Sequence, residues 1–411
     1  MLLGVATISG VTAAAIGALA LPEVLAVTGL SDPGGPFTTY GLSFVRAAGE
    51  IAAVVAIGHF LFAAFLVPPQ PSGVLDVDGY RALRVGGAAC AVWAVCAALL
   101  VALTISDVSG GVPLTELTPP LDIWSAADLV ETSAAWRTTS ILAAFVAVAS
   151  LTVLRWSWTP ALLAGGLMTL MPLAVTGHSS SGGSHDIATN SLIIHLVAGT
   201  LWAGGLLALL VHTLRDGSHT DIAARRFSGL ALWCFAAMAV SGIVNAAVRI
   251  DVSTMLDSSY GLLLVAKVTA LVGLGVIGWR QRQTSIVALQ RDPTSRRPPL
   301  LRLALTEAAL FGVAIGVAVG LGRTPPPPAT REPLPAEAAL GFDLAEPPTI
   351  ARVFVEWRFD LIFGTAAFVI AGIYLVAVYR LSRRGAPPWS TRRTVSWLIG
   401  CLALLFATSS G

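Results

Sequence analysis

The stretch RALRVGGAACAVWAVCAALLVALT, residues 81–104, decides the fold class. It carries no charged residue after Arg84, and as a helix it is long enough to cross about 30 Å of hydrocarbon. Comparable apolar stretches recur near 5–29, 40–66, 136–154, 160–177, 190–213, 227–248, 260–279, 302–321, 354–379 and 394–410. The sequence therefore predicts an all-α polytopic transmembrane bundle of about eleven helices.

The composition supports this prediction. The chain has 411 residues, of which 55% are hydrophobic and 12% charged, and its mean hydropathy is +0.79. Soluble proteins carry about 25% charged residues. The four cysteines lie in apolar runs, and their spacing matches neither a disulfide framework nor a CxxC metal site. We therefore expect a lipid bilayer around the chain, and we expect neither enzymatic activity nor a nucleic-acid partner.

The arginines predict the orientation of the bundle. Most of them lie in alternate connections, near 81–84, 155, 215–226, 280–302 and 380–393. Because basic residues are enriched on the cytoplasmic side, we expect a multi-pass protein of the cytoplasmic membrane with its N-terminus in the cytoplasm. Segments 178–189 and 322–353 then lie outside, opposite 214–226 and 280–301.

A proline-rich segment predicts the domain organisation. Residues 324–352 are rich in Pro and Ala, which indicates an extracytoplasmic linker. The linker would join a nine-helix membrane domain, 1–323, to a second membrane unit, 353–411. Two helices do not readily form a separate membrane domain, so we expect that the chain is cut short or separated from a further portion.

The run MTLMPLAVTGHSSSGGSHDIATNSLIIH, residues 168–195, holds a candidate metal site. Met168, Met171 and His178 share a face at helical spacing. The serine–glycine turn brings back His185, and His195 lies in the next helix at a similar depth. Thioethers select Cu(I), and imidazole binds either oxidation state of copper. The pattern predicts a copper site, Cu(I) or Cu(II); the alternative is a packing Met pair with a hydrogen-bonded histidine.

Further polar residues fall inside the predicted spans, where they are functional candidates by default. Arg46 and Glu50 are four residues apart and can neutralise each other as a structural ion pair or serve transport. The other candidates for a translocation or structural role are His59, Trp202, Lys267 and Glu307, the last of which could also reach the interface from a helix end. Gly204 and Gly205 would let another helix approach closely.

Four segments carry a family resemblance: IIHLVAGTLWAGGLLAL, RRFSGLALWCFAAMAVSGIVNAAVRI, YGLLLVAKVTALVGLGVIGWRQR and LRLALTEAALFGVAIGVAVGLGRTPPP. Together, across about 190–328, they resemble the copper resistance D (CopD) family. The portion VEWRFDLIFGTAAFVIAGIYLVAVYRL and RRTVSWLIGCLALLFATSSG is similar to the opening of CtaG-type cytochrome c oxidase assembly proteins. The combination resembles the fused CopD–CtaG proteins of actinobacteria, although the later CtaG helices are missing.

The resemblance implies that the protein moves or delivers copper across the cytoplasmic membrane. Its implied partners are a periplasmic copper chaperone or cytochrome c oxidase assembly factors. The residues that match the family motifs are His195, Trp202, Gly204, Gly205, Lys267 and Glu307. The five-residue copper set of Met168, Met171, His178, His185 and His195 extends beyond these motifs on spacing alone.

Two alternatives remain open. The first is a haem-binding membrane cytochrome, in which two of His59, His178 and His195 would supply axial ligands. The second is an oxidase-assembly scaffold without transport, in which the last two helices would dock the remaining CtaG portion or an oxidase subunit.

Overall fold

The computed structural model describes residues 2–28, 35–109, 120–176, 185–283 and 298–327, together with a few helical positions between 364 and 400. Within these residues the secondary structure is helical, apart from an isolated β-bridge between Val74 and Arg155. The all-α prediction is therefore confirmed.

Eleven α-helices follow one another in the described residues. They are α1 (Leu2–Thr28), α2 (Gly35–Leu61), α3 (Val77–Val108), α4 (Pro120–Ala126), α5 (Glu131–Thr152), α6 (Thr159–Met168), α7 (Met171–Ala174), α8 (His185–Leu214), α9 (Thr220–Ala247), α10 (Ser259–Gln283) and α11 (Pro298–Leu321). A π-helical turn, Phe62–Leu66, continues α2. Eight of these helices are long and apolar enough to cross a membrane: α1, α2, α3, α5, α8, α9, α10 and α11. The chain is a multi-pass membrane protein.

The predicted span 160–177 is wrong as a single helix. The helix breaks after Met168 and resumes for one turn at Met171–Ala174. Pro172 has no backbone N–H, and its ring would clash with the carbonyl group of Met168 in a continuous helix. Met168 and Met171 consequently lie on two different helices, Thr159–Met168 and Met171–Ala174.

The chain divides into two compact units, the first of which comprises residues 1–180 and 191–331. Helix α2 lies at the centre of this unit: 89% of its most apolar window is buried, compared with 17% in α9 and 11% in α10. Helices α9 and α10 are therefore the least buried of the long helices of this unit.

Helices α2 and α8 cross at a point without side chains. A Cβ atom placed on Gly204 would lie 2.8 Å from Gly58 Cα and 2.9 Å from Gly58 N. On Gly205 it would lie 2.6 Å from the Phe227 ring. Small residues allow such close approach between membrane helices. The prediction that Gly204 and Gly205 permit a close contact is confirmed.

Three connections meet at one end of the first unit, which we call the arginine-rich end: 67–76, 153–158 and 215–219. The Leu75 N–H donates to the Leu154 carbonyl group at 3.0 Å, and the Ser218 N–H donates to Asp78 Oδ2 at 2.9 Å. At the opposite end, Arg323 donates to Asp107 at 3.0 Å. Connections 67–76, 153–158 and 215–219 thus lie at one end and residues 107 and 323 at the other, as the order of the predicted spans requires.

The second unit comprises residues 181–190 and 332–411. Its described residues are helical: 185–190 at the start of α8, and positions within the predicted spans 354–379 and 394–410. Most of the predicted linker, 324–352, lies outside the described residues. The three-part division into 1–323, 324–352 and 353–411 stays a prediction.

Candidate functional site

The first unit holds an interior set of polar side chains, here called the polar cluster. It consists of residues on α2, α8, α9 and α10 and one residue just after α9, namely Arg46, Glu50, Ser191, His195, Ser241, Asn245, Lys267 and Arg249. Polar groups at membrane depth are costly unless they pair with one another, so their convergence marks the candidate functional site.

The Arg46–Glu50 ion pair lies on α2. Arg46 Nε donates to Glu50 Oε1 at 3.2 Å, one helical turn apart. The guanidinium group also lies 5.9 Å from the centre of the Trp136 ring on α5. The two side chains retain 30% and 34% of their accessible surface. The pair therefore lies among neighbouring elements of the bundle but keeps room for a small ligand or for water.

Lys267 on α10 brings a second positive charge to the same region. Its ammonium group interacts electrostatically with Glu50 on α2, with His195 on α8 and with Arg249, two residues after the end of α9. These interactions link α10 to the polar side chains of the neighbouring helices. Glu50 supplies the negative charge in a set that also contains three cationic side chains.

Helices α8 and α9 are joined by side-chain hydrogen bonds. The Nδ1 atom of His195 lies 3.1 Å from Ser241 Oγ. One turn further toward the opposite end, Asn245 Nδ2 donates to Ser191 Oγ at 3.0 Å, and Arg249 donates to Asn245 Oδ1 at 2.6 Å. The contact with Ser241 fixes the orientation of the imidazole and leaves Nε2 as the nitrogen available to a ligand.

Met238 is a neighbour of His195 that sequence reasoning missed. A Cβ atom placed on Gly199, one helical turn after His195, would lie 3.3 Å from Met238 Sδ. The backbone carbonyl of Met238 also lies next to the His195 ring. The Met238 thioether therefore lies against α8 one helical turn after His195. In the sequence, Met238 is a methionine within a predicted span, three residues before Ser241. Such a methionine usually packs in the core, so the sequence did not mark it as a candidate ligand.

The predicted copper ligands fall into different environments. The Met168 side chain is 58% exposed, whereas Met171 packs against a buried apolar cluster that includes Leu170. His178 and the side chain of His185 lie outside the described residues. Among the residues that the structure describes, no three His, Cys, Asp or Glu side chains form a metal-binding group. The five-residue copper set stays a prediction.

His59 lies deep in the bundle, close to the arginine-rich end. Its Nδ1 atom is 2.8 Å from the Val55 carbonyl oxygen, and its Nε2 atom has no hydrogen-bond partner in the described part of the chain. His212, near the end of α8, lies 2.8 Å from the Ser218 carbonyl oxygen and stacks against Phe62. These contacts account for His212 as a structural residue that closes the connection after α8.

Trp202 and Glu307 lie together between the polar cluster and the arginine-rich end. Trp202 makes edge-to-face contacts with Phe235 and Phe311, at ring-centre distances of 5.7 Å and 5.0 Å. Glu307 is only 2% exposed, so it does not reach the interface as one alternative proposed. The side chains of Trp202 and Gln281 lie beside its carboxyl group.

The fold and the polar cluster define a class: a polytopic helical membrane protein whose interior offers an imidazole, a thioether and several charges. Three family models match the chain. "Copper resistance protein D-like, N-terminal domain" matches residues 37–186, and "Copper resistance protein D" matches residues 222–321. "Cytochrome c oxidase caa3 assembly factor" matches residues 372–411. These matches confirm the resemblance to the copper resistance D family and to CtaG, in the order of a CopD–CtaG fusion.

Curated relatives extend the comparison. An uncharacterized protein of Mycobacterium leprae (strain TN) is 28% identical over 396 residues, which cover 96% of this chain and 56% of the relative. Uncharacterized proteins of Mycobacterium bovis and Mycobacterium tuberculosis are 28% identical over 410 residues, covering 97% of this chain and 59% of each relative. The chain thus spans less than two thirds of the length of these relatives. No solved structure matches it.

Proposed function

We infer that this protein moves or delivers copper across the cytoplasmic membrane, with its N-terminus in the cytoplasm, and that the copper serves cytochrome c oxidase assembly. The role is that of a carrier and not of an enzyme. The observation that carries the proposal is the placement of the His195 imidazole and the Met238 thioether about one helical turn apart where α8 meets α9. The copper resistance matches and the oxidase assembly match support it.

The donor chemistry of this pair suits Cu(I). Methionine sulfur is a soft ligand that selects Cu(I), and a neutral imidazole completes a low coordination number. The Ser241 hydroxyl holds Nδ1 of the ring, so Nε2 is the atom that would bind the metal. In the proposal, copper is the transported substrate, and His195 forms an intermediate binding site between α8 and α9.

The charges around the pair set a condition on transport. Arg46, Arg249 and Lys267 all raise the electrostatic energy of a monovalent cation in the polar space, and Glu50 lowers it. The Arg46–Glu50 pair and Lys267 are close enough to interact. Glu50 is therefore the residue of this set that favours a copper ion, and its neutralisation is expected to slow copper movement.

Copper binding to the purified protein tests the first half of the proposal. Cu(I) affinity is measured under reducing conditions by competition with a chromogenic Cu(I) chelator, for the parent chain and for His195→Ala. We expect the variant to bind at least tenfold more weakly. The matched control is His219→Asn, because His219 is an exposed loop residue with φ of 56° at the arginine-rich end, a conformation that Asn tolerates.

Movement across the membrane requires a separate measurement. The protein is reconstituted in liposomes that contain a Cu(I)-responsive dye, and uptake is followed for the parent chain, His195→Ala and His219→Asn. Uptake that depends on His195 supports transport. The protein is inserted in both orientations, so that transport in either direction is detected. If it then binds copper without uptake, delivery of copper to a partner replaces transport as the proposed function. Equal binding by all three proteins contradicts both.

The proposed link to oxidase assembly is tested in cells. Deletion of the gene is expected to lower the activity of a copper-containing oxidase under copper limitation, and added copper is expected to restore it. A deficit that added copper does not restore, in cells whose copper content is normal, would favour the assembly-scaffold alternative. The match at residues 372–411 is the observation behind this arm of the proposal.

A further inference from the structure

A cavity of about 530 Å³ lies between α8, α9, α10 and α11, in the half of the bundle nearer the arginine-rich end. Volumes of this size are typical of sites for organic ligands. Its wall is largely aliphatic and aromatic, with Leu206, Phe227 and Phe235 among the lining residues. The cavity is distinct from the polar cluster, because Trp202 at its end lies about 10 Å along α8 from His195.

The wall contains one buried acid. Glu307 on α11 lines the cavity and is 2% exposed, and its Oε2 atom has no hydrogen-bond partner among the described residues. Trp202 and Gln281 are its polar neighbours, and both are uncharged. Arg282 also lines the cavity but is exposed at the end of α10. Burying a carboxylate without a charged partner is costly, so a cation bound in the cavity would stabilise the ionised form of Glu307.

The remaining wall chemistry excludes other ligand classes. Of the described residues that line the cavity, none is His, Cys or Met, so the site does not offer the soft donors that copper requires. A lipid acyl chain would fill the volume but would leave the Glu307 carboxyl group buried and unpaired. A ligand that combines an apolar surface with a positive charge satisfies both the apolar wall and the Glu307 carboxyl group.

Aromatic rings in the wall favour the same ligand class. A cation within about 6 Å of an aromatic face is attracted by the ring quadrupole, most strongly by tryptophan. The Trp202 ring is held by its edge-to-face contacts with Phe235 and Phe311. Trp202, Phe227 and Phe235 all line the cavity. The acid and the rings thus act on the same ligand charge.

Access to the cavity is from the side of the bundle. The lining residues Leu232 on α9 and Val272 and Val276 on α10 are exposed, and both helices are little buried. A ligand dissolved in the bilayer can therefore approach between α9 and α10 without crossing the polar ends.

We propose that this cavity binds lipophilic monovalent organic cations, such as ammonium or phosphonium ions with apolar substituents, with Glu307 as the counter-charge and Trp202 as an aromatic wall. The binding site does not rest on the proposed copper function, because it shares no residue with the polar cluster. A membrane protein that carries both sites would respond to two chemically unrelated cations.

The test uses two probes of the same shape and opposite charge, tetraphenylphosphonium and tetraphenylborate. Equilibrium binding of each radiolabelled probe is measured on the purified full chain in lipid nanodiscs. We expect saturable binding of tetraphenylphosphonium at one site per chain. In Glu307→Gln, the affinity should fall at least tenfold. The matched control is Asp221→Asn, which removes an acid from an exposed ion pair with Arg225 on α9 and should leave the affinity unchanged.

A second variant keeps the acid and removes the space. Ala231→Trp fills the cavity from α9 and should abolish tetraphenylphosphonium binding while Glu307 remains. Thermal unfolding and gel-filtration profiles verify that the variants are folded. Equal tetraphenylphosphonium binding by the parent chain, Glu307→Gln and Ala231→Trp would overturn the proposal, as would equally tight saturable binding of tetraphenylborate. Copper binding by Glu307→Gln should be unchanged, which separates this result from the test of the copper proposal.

Discussion

The close contact between Gly58 and Gly204 allows a prediction about Gly204→Ala. The sign of the change in the free energy of unfolding shows whether packing or helix propensity dominates. An added Cβ at position 204 would lie 2.8 Å from Gly58 Cα, and closer still to the Val54 carbonyl oxygen. An ordinary contact needs at least 3.4 Å, so α2 and α8 would have to separate by about 0.6 Å or more. A gap of this size forfeits a quarter to a half of the dispersion energy of the atoms around it.

Gly204→Ala should therefore destabilise the fold. Overpacking costs about 1–3 kcal/mol, and the upper half of that range applies because the neighbouring atoms are backbone and cannot change rotamer. Removing a glycine from a helix gives back up to about 1 kcal/mol. The expected net loss is about 2 kcal/mol of the free energy of unfolding, or about a 30-fold change in the unfolding equilibrium.

The matched control is Gly229→Ala on α9. A Cβ atom there meets nothing within 4 Å, so only helix propensity changes and the variant should be as stable as the parent chain or slightly more stable. Both variants are measured by reversible unfolding in mixed detergent–SDS micelles, followed by circular dichroism. Stability of Gly204→Ala equal to that of Gly229→Ala would refute the reasoning, because it would show that the two backbones can separate without cost.

Three further predictions address the polar side chains. Arg46→Met should lower the free energy of unfolding by at most about 3 kcal/mol, since the pair with Glu50 is only partly buried. In a double-mutant cycle, adding Glu50→Gln should recover part of this loss, whereas additive losses would contradict pairing. Met238→Leu should weaken Cu(I) affinity several-fold while changing stability by less than about 1.5 kcal/mol, and an unchanged Cu(I) affinity would remove the thioether from the site. Arg323→Ala should destabilise the end of the bundle that carries Asp107, and backbone hydrogen exchange in α3 should then be faster than in the parent chain. Exchange rates equal to those of the parent chain would show that the ion pair is dispensable.

The helices were predictable because hydrocarbon imposes a simple demand on sequence. The run after Arg84 has no charge for long enough to span a bilayer, and it lies within α3 as expected. The ends of this helix were predicted less accurately. Hydropathy marks only the part of a helix that lies in hydrocarbon, whereas α3 extends beyond it at both ends, to Val77 and Val108. Pro172 shows the other limit: hydropathy is continuous across it, but the backbone hydrogen bonds are not.

The candidate site was predictable only in part, because its contacts join residues far apart in sequence. The pairing of Arg46 with Glu50 follows from their spacing on one helix and is present. The proximity of Met238 to His195 depends on how α9 lies against α8, which the sequence of neither helix specifies. For the same reason, the burial of Glu307 emerged only from the structure, since it depends on the packing of α11 against its neighbours.

The crossing of α2 and α8 has a mechanical consequence. Gly58 and Gly204 meet backbone to backbone, so the main chain alone sets the distance between α2 and α8 at this point. His195 lies nine residues before Gly204 and His212 eight residues after it, about 14 Å and 12 Å along the helix. A side chain added at the crossing should therefore displace both histidines relative to α2, although neither of them touches the contact.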